Sequence, residues 1–166
     1  SDLADKETEA SKDLFAMDTY MTLTAYGEHA QEAVDKAAER VEALDALLST
    51  GNENSEIYQL NQNGEATLSE EGGYLVERAL ELYKKTEGAF DIAIYPVMQA
   101  WGFPTQDYHV PDDDTLKEKL ALADASKVNY DKDTRKIIFD QDGMEIDLGG
   151  IAKGYTSSQI MQIYPD

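Results

Sequence analysis

The chain of 166 residues carries 34 acidic against 14 basic side chains, a net charge of −20, and such a field repels nucleic acid and anionic membrane surfaces, both of which need compensating cations. The absence of cysteine excludes disulfides, thiolate nucleophiles and thiolate zinc sites, and with only His29 and His109 a multi-histidine metal cage is excluded as well. The 42% hydrophobic residues suffice for one domain with a real core, and no apolar run approaches the roughly 20 residues of a membrane helix. A phosphorylated ligand must therefore be held by local cations, backbone amides or a metal, which makes a divalent ion physically attractive in such a site.

Residues 1–13 are polar, acidic and without pattern, and are expected to be a flexible tether left after a processed N-terminus; no signal peptide is visible. Phe15 to Tyr26 is rich in β-branched and aromatic residues with partial alternation, which predicts a strand. From His29 to Leu48, Val34, Ala37, Val41, Leu44 and Leu48 recur at three- and four-residue steps, the pattern of an amphipathic helix on a sheet. Leu48 to Glu56 is a loop by composition, with a short helical turn after Ser55. Ser69 is a plausible N-cap for a second helix running to about Lys85, and Gly88 follows as a stop.

Gly88 to Phe103 is an apolar segment with a lone acid, Asp91, near its start, then Pro96 and the chain's single tryptophan, Trp101. Asp91 either caps the turn into Ile92 or, beside Phe90, offers the carboxylate and ring that a planar heterocycle with polar edges requires. Thr105 to Asp114 is a polar loop in which His109 is expected to be exposed, leading into a short helix through Leu116, Leu120 and Leu122. Three strands are predicted next: Lys127–Tyr130, Lys136–Phe139 and Met144–Leu148. The last two are joined by Gln141-Asp142-Gly143, a hairpin signal because its turn needs positive φ. A helix from Ile151 to Tyr164 closes the chain.

The stretch from Met144 to Tyr155 organises the rest: a strand ending in Asp147, then Gly149-Gly150, then a helix bearing Lys153 one turn in. Two glycines at such a turn let a ligand approach the main chain, and the helix start favours an anion. The same pair also makes an ordinary tight turn, and neither G-x-x-x-x-G-K-[ST] nor G-x-G-x-x-G is present.

Taken together, Gly88-Ala89-Phe90-Asp91-Ile92 with Pro96 and Trp101-Gly102-Phe103, and Ile146-Asp147-Leu148-Gly149-Gly150-Ile151-Ala152-Lys153-Gly154-Tyr155, resemble the flavin transferases of the ApbE family. Met17-Asp18-Thr19 is similar to that family's Met-Gly-Thr strand, and Leu48-Ser49-Thr50 through Ser55-Glu56-Ile57 to Leu60-Asn61 to its next signature. The resemblance covers the chain from about Leu14 onward. It implies an α+β fold, a mixed and mainly antiparallel sheet with packed helices in a T-fold-like architecture, incomplete as given, with residues 14–166 forming the N-terminal part of the domain. It further implies an enzyme that takes FAD, moves FMN to a threonine of a partner protein through a phosphoester bond and releases AMP, with Mg2+ as the metal.

By matching motifs, Met17, Ala89, Phe90, Asp91, Asp147 and Lys153 fall where the family touches FAD, and Gly150 falls where a main-chain oxygen ligates the metal; no catalytic residue is assigned. Two departures stand out. Gly51 occupies a position where the family often has an aromatic residue, and Asp18 replaces a glycine. The family's second half, with further metal ligands, lies outside the sequence, so weak FAD binding and no transfer are expected of this chain alone. The alternative is a protein that binds or hydrolyses FAD without modifying a partner. The resemblance places the protein in the bacterial cell envelope, with a membrane link only through an N-terminal lipid anchor.

Overall fold

Alternation at the start of the chain extends further than its apolar residues reveal. In the computed structural model, which describes residues 8–17 and 19–163, Glu9–Ala16 forms strand β1 and Thr19–Tyr26 forms strand β2. The two make an antiparallel hairpin in register from Glu9 opposite Tyr26 to Ala16 opposite Thr19. The single strand expected from Phe15 to Tyr26 is thus two, and the expected tether is strand from Glu9 onward; residues 1–7 lie outside the described part. The cause is composition: Ala10 and Ala16 are the buried positions of β1, while Ser11, Lys12 and Asp13 are exposed. Across the pair, Thr22 Oγ1 donates to Asp13 Oδ1 at 2.6 Å, a cross-strand contact that apolar patterning does not register.

The chain divides into two units, residues 1–46 with 152–166 and residues 47–151. In the first, helix α1 (Ala30–Leu48) covers the hairpin as its periodicity predicts. Ala30, Ala33, Val34, Ala37 and Ala38 pack with Ala10, Leu23 and Ala25, and Leu14, Met21 and Ile160 lie against that cluster. So many alanines let helix and hairpin approach closely without large side chains.

The second unit is built around a small antiparallel sheet. Helix α2 (Glu56–Asn63) leads to β3 (Glu65–Thr67) and α3 (Glu70–Lys85). A 3-10 turn (Ile92–Ile94), α4 (Tyr95–Ala100) and α5 (Asp113–Leu122) follow. Strands β4 (Val128–Asp131) and β5 (Lys136–Phe139) complete the sheet in the order β3-β5-β4. Ser55 and Ser69 cap α2 and α3 by accepting the N–H of Tyr58 and Gly72, which satisfies donors at each helix start. Ile57, Leu60, Leu75, Val76, Ile137, Met144, Ile146 and Leu148 are buried to 1% exposure or less. Helix α6 (Gly149–Ile163) begins in this unit and continues into the first.

Met144–Leu148 has the composition of a strand but forms no ladder. Gly143 does turn at φ +87°, yet the main chain beyond it finds other partners. The N–H and C=O of Ile146 both bond the side chain of Asn61, and the Asp147 N–H donates to the Ile92 carbonyl. Backbone groups need partners, not a particular kind of partner. The expected class, α+β with antiparallel sheet and packed helices, is the one observed. No described helix is long and apolar enough to cross a membrane.

Candidate functional site

The extended run before Gly149 is held from two directions. Asn61 Nδ2 donates to the Ile146 carbonyl at 2.9 Å while the Ile146 N–H donates to Asn61 Oδ1 at 2.8 Å. One residue on, the Asp147 N–H reaches the Ile92 carbonyl at 2.9 Å. Leu148 is fully buried beneath, so the Asp147 side chain and the glycines are left at the surface side of the bend. A Cβ on Gly150 would lie 3.4 Å from Cε2 of Phe90. The segments Ala89–Ile92 and Asp147–Gly150, far apart in sequence, therefore meet. Ala89 and Gly150 are exposed; Phe90, Asp91 and Asp147 are half-buried.

Both acids serve the backbone in this arrangement. Asp91 Oδ1 accepts the Ala93 N–H at 2.8 Å and Oδ2 accepts the Ala125 N–H at 3.2 Å, so the capping role is realised, and Asp91 also ties the 3-10 turn to the segment before β4. Asp147 Oδ1 accepts the Gly149 N–H at 2.8 Å, which corrects the picture of a helix start open to an anion. A carboxylate already sits at the positive end of α6, where it is stabilising. A diphosphate there meets that negative charge unless a cation intervenes.

Met17 and Lys153 belong to the first unit. Met17 adopts φ +53°, uncommon for a side chain with a Cβ. Its N–H donates to Asp45 Oδ1 at 3.0 Å, and Thr156 Oγ1 of α6 lies 3.5 Å from its Sδ. Lys153 is exposed, one turn before the buried Thr156 on the same helix. Met17 is thus fixed against the helix that carries Lys153.

Near the bend, Glu145 has Oε2 buried without a hydrogen-bond partner. Burial pushes its carboxyl above the ordinary carboxylate value, against the opposing pull of a Gln99 hydrogen bond and the Lys119 charge. Among the described residues no three His, Asp or Glu side chains converge as a metal site. The described side chains therefore do not fit Mg2+ as a self-sufficient set, since a main-chain oxygen such as that of Gly150 needs companion carboxylates or phosphates.

Sequence reading assigned no role to Asn61, Ser55 or Thr156. Ser55, fully buried, accepts the Tyr58 N–H and donates to the Ser49 carbonyl. Glu56 accepts both the N–H and the hydroxyl of Ser69. The loop after Leu48 is closed by its own side chains, with Ser49 Oγ accepting from Gly51 and Asn52. The only signal for Asn61 was its place at the end of the Leu48–Asn61 signature. His109 is exposed, as expected, with Nδ1 2.8 Å from the Asp107 carbonyl.

Solved structures share this fold. An ApbE protein from Thermotoga maritima superposes with a TM-score of 0.84 at 25% identity, covering 94% of this chain and 52% of its own. The flavin transferase ApbE from Vibrio cholerae gives 0.82 at 21% identity, with 94% and 53% covered. The ApbE family model matches residues 17–166, and the chain belongs to the ApbE family. Among curated relatives, an FAD:protein FMN transferase of Treponema pallidum is 30% identical over 167 residues, covering 93% of this chain and 46% of the relative. One of Klebsiella pneumoniae is 27% identical over 135 residues, covering 80% and 43%. The chain spans a little under half the length of these curated relatives.

Proposed function

We propose that the protein containing this chain is an FAD:protein FMN transferase. A threonine hydroxyl of an acceptor protein attacks the FMN phosphorus of FAD, a P–O bond forms, the P–O bond to AMP breaks, AMP leaves and the hydroxyl proton is released. The observation that carries this proposal is the meeting of Ala89–Ile92 with Asp147–Gly150 through the Asp147 to Ile92 hydrogen bond, which joins the two family segments expected to touch FAD. In the first unit, Met17, held at φ +53° against α6, and the exposed Lys153 are the positions that the family resemblance assigns to FAD. Strain at a fixed residue is compatible with such a role.

Mg2+ is part of the proposal because Asp147 and a diphosphate are both anionic. Gly150 would supply one oxygen, and the others would come from FAD and from the counterpart of the relatives' second half. When bound, the ion supplies charge neutralisation for displacement at phosphorus. This chain's own contribution is positional: Asn61 and Ile92 fix Asp147, and Phe90 closes one side of Gly150. The protein is proposed to act in the bacterial cell envelope, tethered through a lipid at its N-terminus, a placement supported by the family resemblance.

The 166-residue chain should bind FAD weakly and transfer nothing. Incubation of a version extended to the relatives' length with FAD, Mg2+ and a threonine-bearing acceptor protein should yield AMP and flavin fluorescence that stays with the denatured acceptor. AMP with free FMN would replace transfer by hydrolysis, and no saturable FAD binding by the extended version would end the proposal. Transfer by the 166-residue chain itself would refute the need for a second half.

A further inference from the structure

The sheet of the second unit ends in an open strand. β4 pairs with β5 on one side, and no strand pairs with its other side among the described residues. The carbonyls of Lys127 and Asp131 point toward β5, accepting from Asp140 and Arg135. Antiparallel alternation turns the main-chain groups of Val128 and Tyr130 the opposite way. The Val128 N–H is taken by the Ala125 carbonyl, while no partner is found among the described residues for the Val128 carbonyl or for the N–H and carbonyl of Tyr130. These are the donor and acceptors that an added strand would use.

A groove of about 730 Å³ runs along this edge. Its wall on one side is Leu80, Tyr83 and Lys84 of α3, and on the other Lys136 and Ile138 of β5. Lys136 and Ile138 lie on the sheet face opposite the buried Ile137 and Phe139. Lining residues from both sides of the sheet place the open space around the β4 edge itself. Each wall carries one apolar group, Leu80 on the α3 side and the partly exposed Ile138 on the other. Its charges are Lys84 and Lys136, neither with an ion-pair partner among the described residues, against Asp131. In a chain with 34 acids and 14 bases, a lining with two cations and one anion stands out.

We propose that the open edge of β4 docks an extended, acidic segment of the acceptor protein by strand addition. Main-chain bonds to Tyr130 and Val128 supply the pairing; side chains on one face of the added strand meet Leu80 and Lys84, and those on its other face meet Ile138 and Lys136, an apolar group and a cation on each side. The identity of the partner rests on the flavin-transfer proposal; the groove does not.

The test uses a fluorescein-labelled capped peptide, Asp-Val-Thr-Val-Asp, added without FAD to the version extended to the relatives' length. Anisotropy should show saturable binding, the Tyr130 amide should exchange more slowly in the complex, and a peptide N-methylated at its central residue should bind more weakly. The double variant Lys84→Glu with Lys136→Glu, both exposed and so expected to fold as checked by circular dichroism, should weaken binding about tenfold. No saturable binding, equal binding of Lys-Val-Thr-Val-Lys, or indifference to the double variant would overturn the proposal. So would sedimentation showing that a second copy fills the edge. Failure of FAD binding in the extended protein with peptide binding intact would remove the flavin reading and the named partner; peptide failure with FAD binding intact would remove this inference alone.

Discussion

The side chain of Asn61 stands in for a strand: its amide bonds both the N–H and the carbonyl of Ile146, 85 residues away in the chain. Only an amide supplies a donor and an acceptor in one plane at that spacing. Asn61→Ala removes both partners of a buried residue, at a cost of about 2 kcal/mol, and Asn61→Asp should do comparable harm because it cannot donate to the carbonyl. Urea unfolding of the two variants checks this. An Asn61→Asp protein as stable as the parent would show that the acceptor alone matters.

The two glycines of the bend should separate folding from binding. A Cβ on Gly150 would meet Phe90 at 3.4 Å, an ordinary contact, whereas one on Gly149 would lie 3.1 Å from Asp147 Oδ1. Gly149→Ala therefore makes the Asp147 carboxylate, which accepts the Gly149 N–H, give by a few tenths of an ångström. On the proposed function, Gly149→Ala should lower FAD affinity in the extended protein more than Gly150→Ala does, with both variants folded. Flavin fluorescence titrations measure the ratio, and equal affinities would dissociate Asp147 from the ligand.

Asp91 joins two stretches of the second unit through separate oxygens, one to Ala93 and one to Ala125. Asp91→Ala leaves two main-chain donors without their acceptor, a loss of about 2 kcal/mol, and Asp91→Asn, which keeps one oxygen, should lose about half as much. Thermal unfolding of both variants provides the comparison. If Asp91→Asn proves as stable as the parent, the second of the two bonds contributes nothing.

These residues also mark what the sequence could disclose. Helices α1 and α3 were visible because Val34, Val41, Leu75 and Ala79 repeat at helical steps and are buried to 1% exposure or less. The cap at Asp91 was visible because Ala93 is two residues on; its bond to Ala125 was not, because nothing local encodes a partner 34 residues away. Strand β3 is a single buried-side alanine between exposed Glu65 and Thr67, too short for alternation to register. Met144–Leu148 misled for the opposite reason. Its side chains alternate as in a strand, and its backbone partners are distant groups that periodicity does not report. The candidate FAD segments came from resemblance, and the structure added Asn61 and the Asp147 to Ile92 bond as the physical means of joining them.

Glu145 gives the molecule a pH signature. Burial raises its carboxyl above the usual 4.5, only partly offset by Gln99 and Lys119. A carboxyl whose folded value lies above its unfolded value binds more protons in the folded state between the two values. Its contribution is fully present below about the unfolded value and is lost as pH rises through the folded one. Glu145→Gln has no proton to lose and keeps a polar side chain beside Gln99. The difference in unfolding free energy between Glu145→Gln and the parent should therefore move in favour of the variant as pH rises from about 4 toward neutrality, then level off. A parallel pair of stability curves across that range would place Glu145 in contact with water and remove burial as the cause.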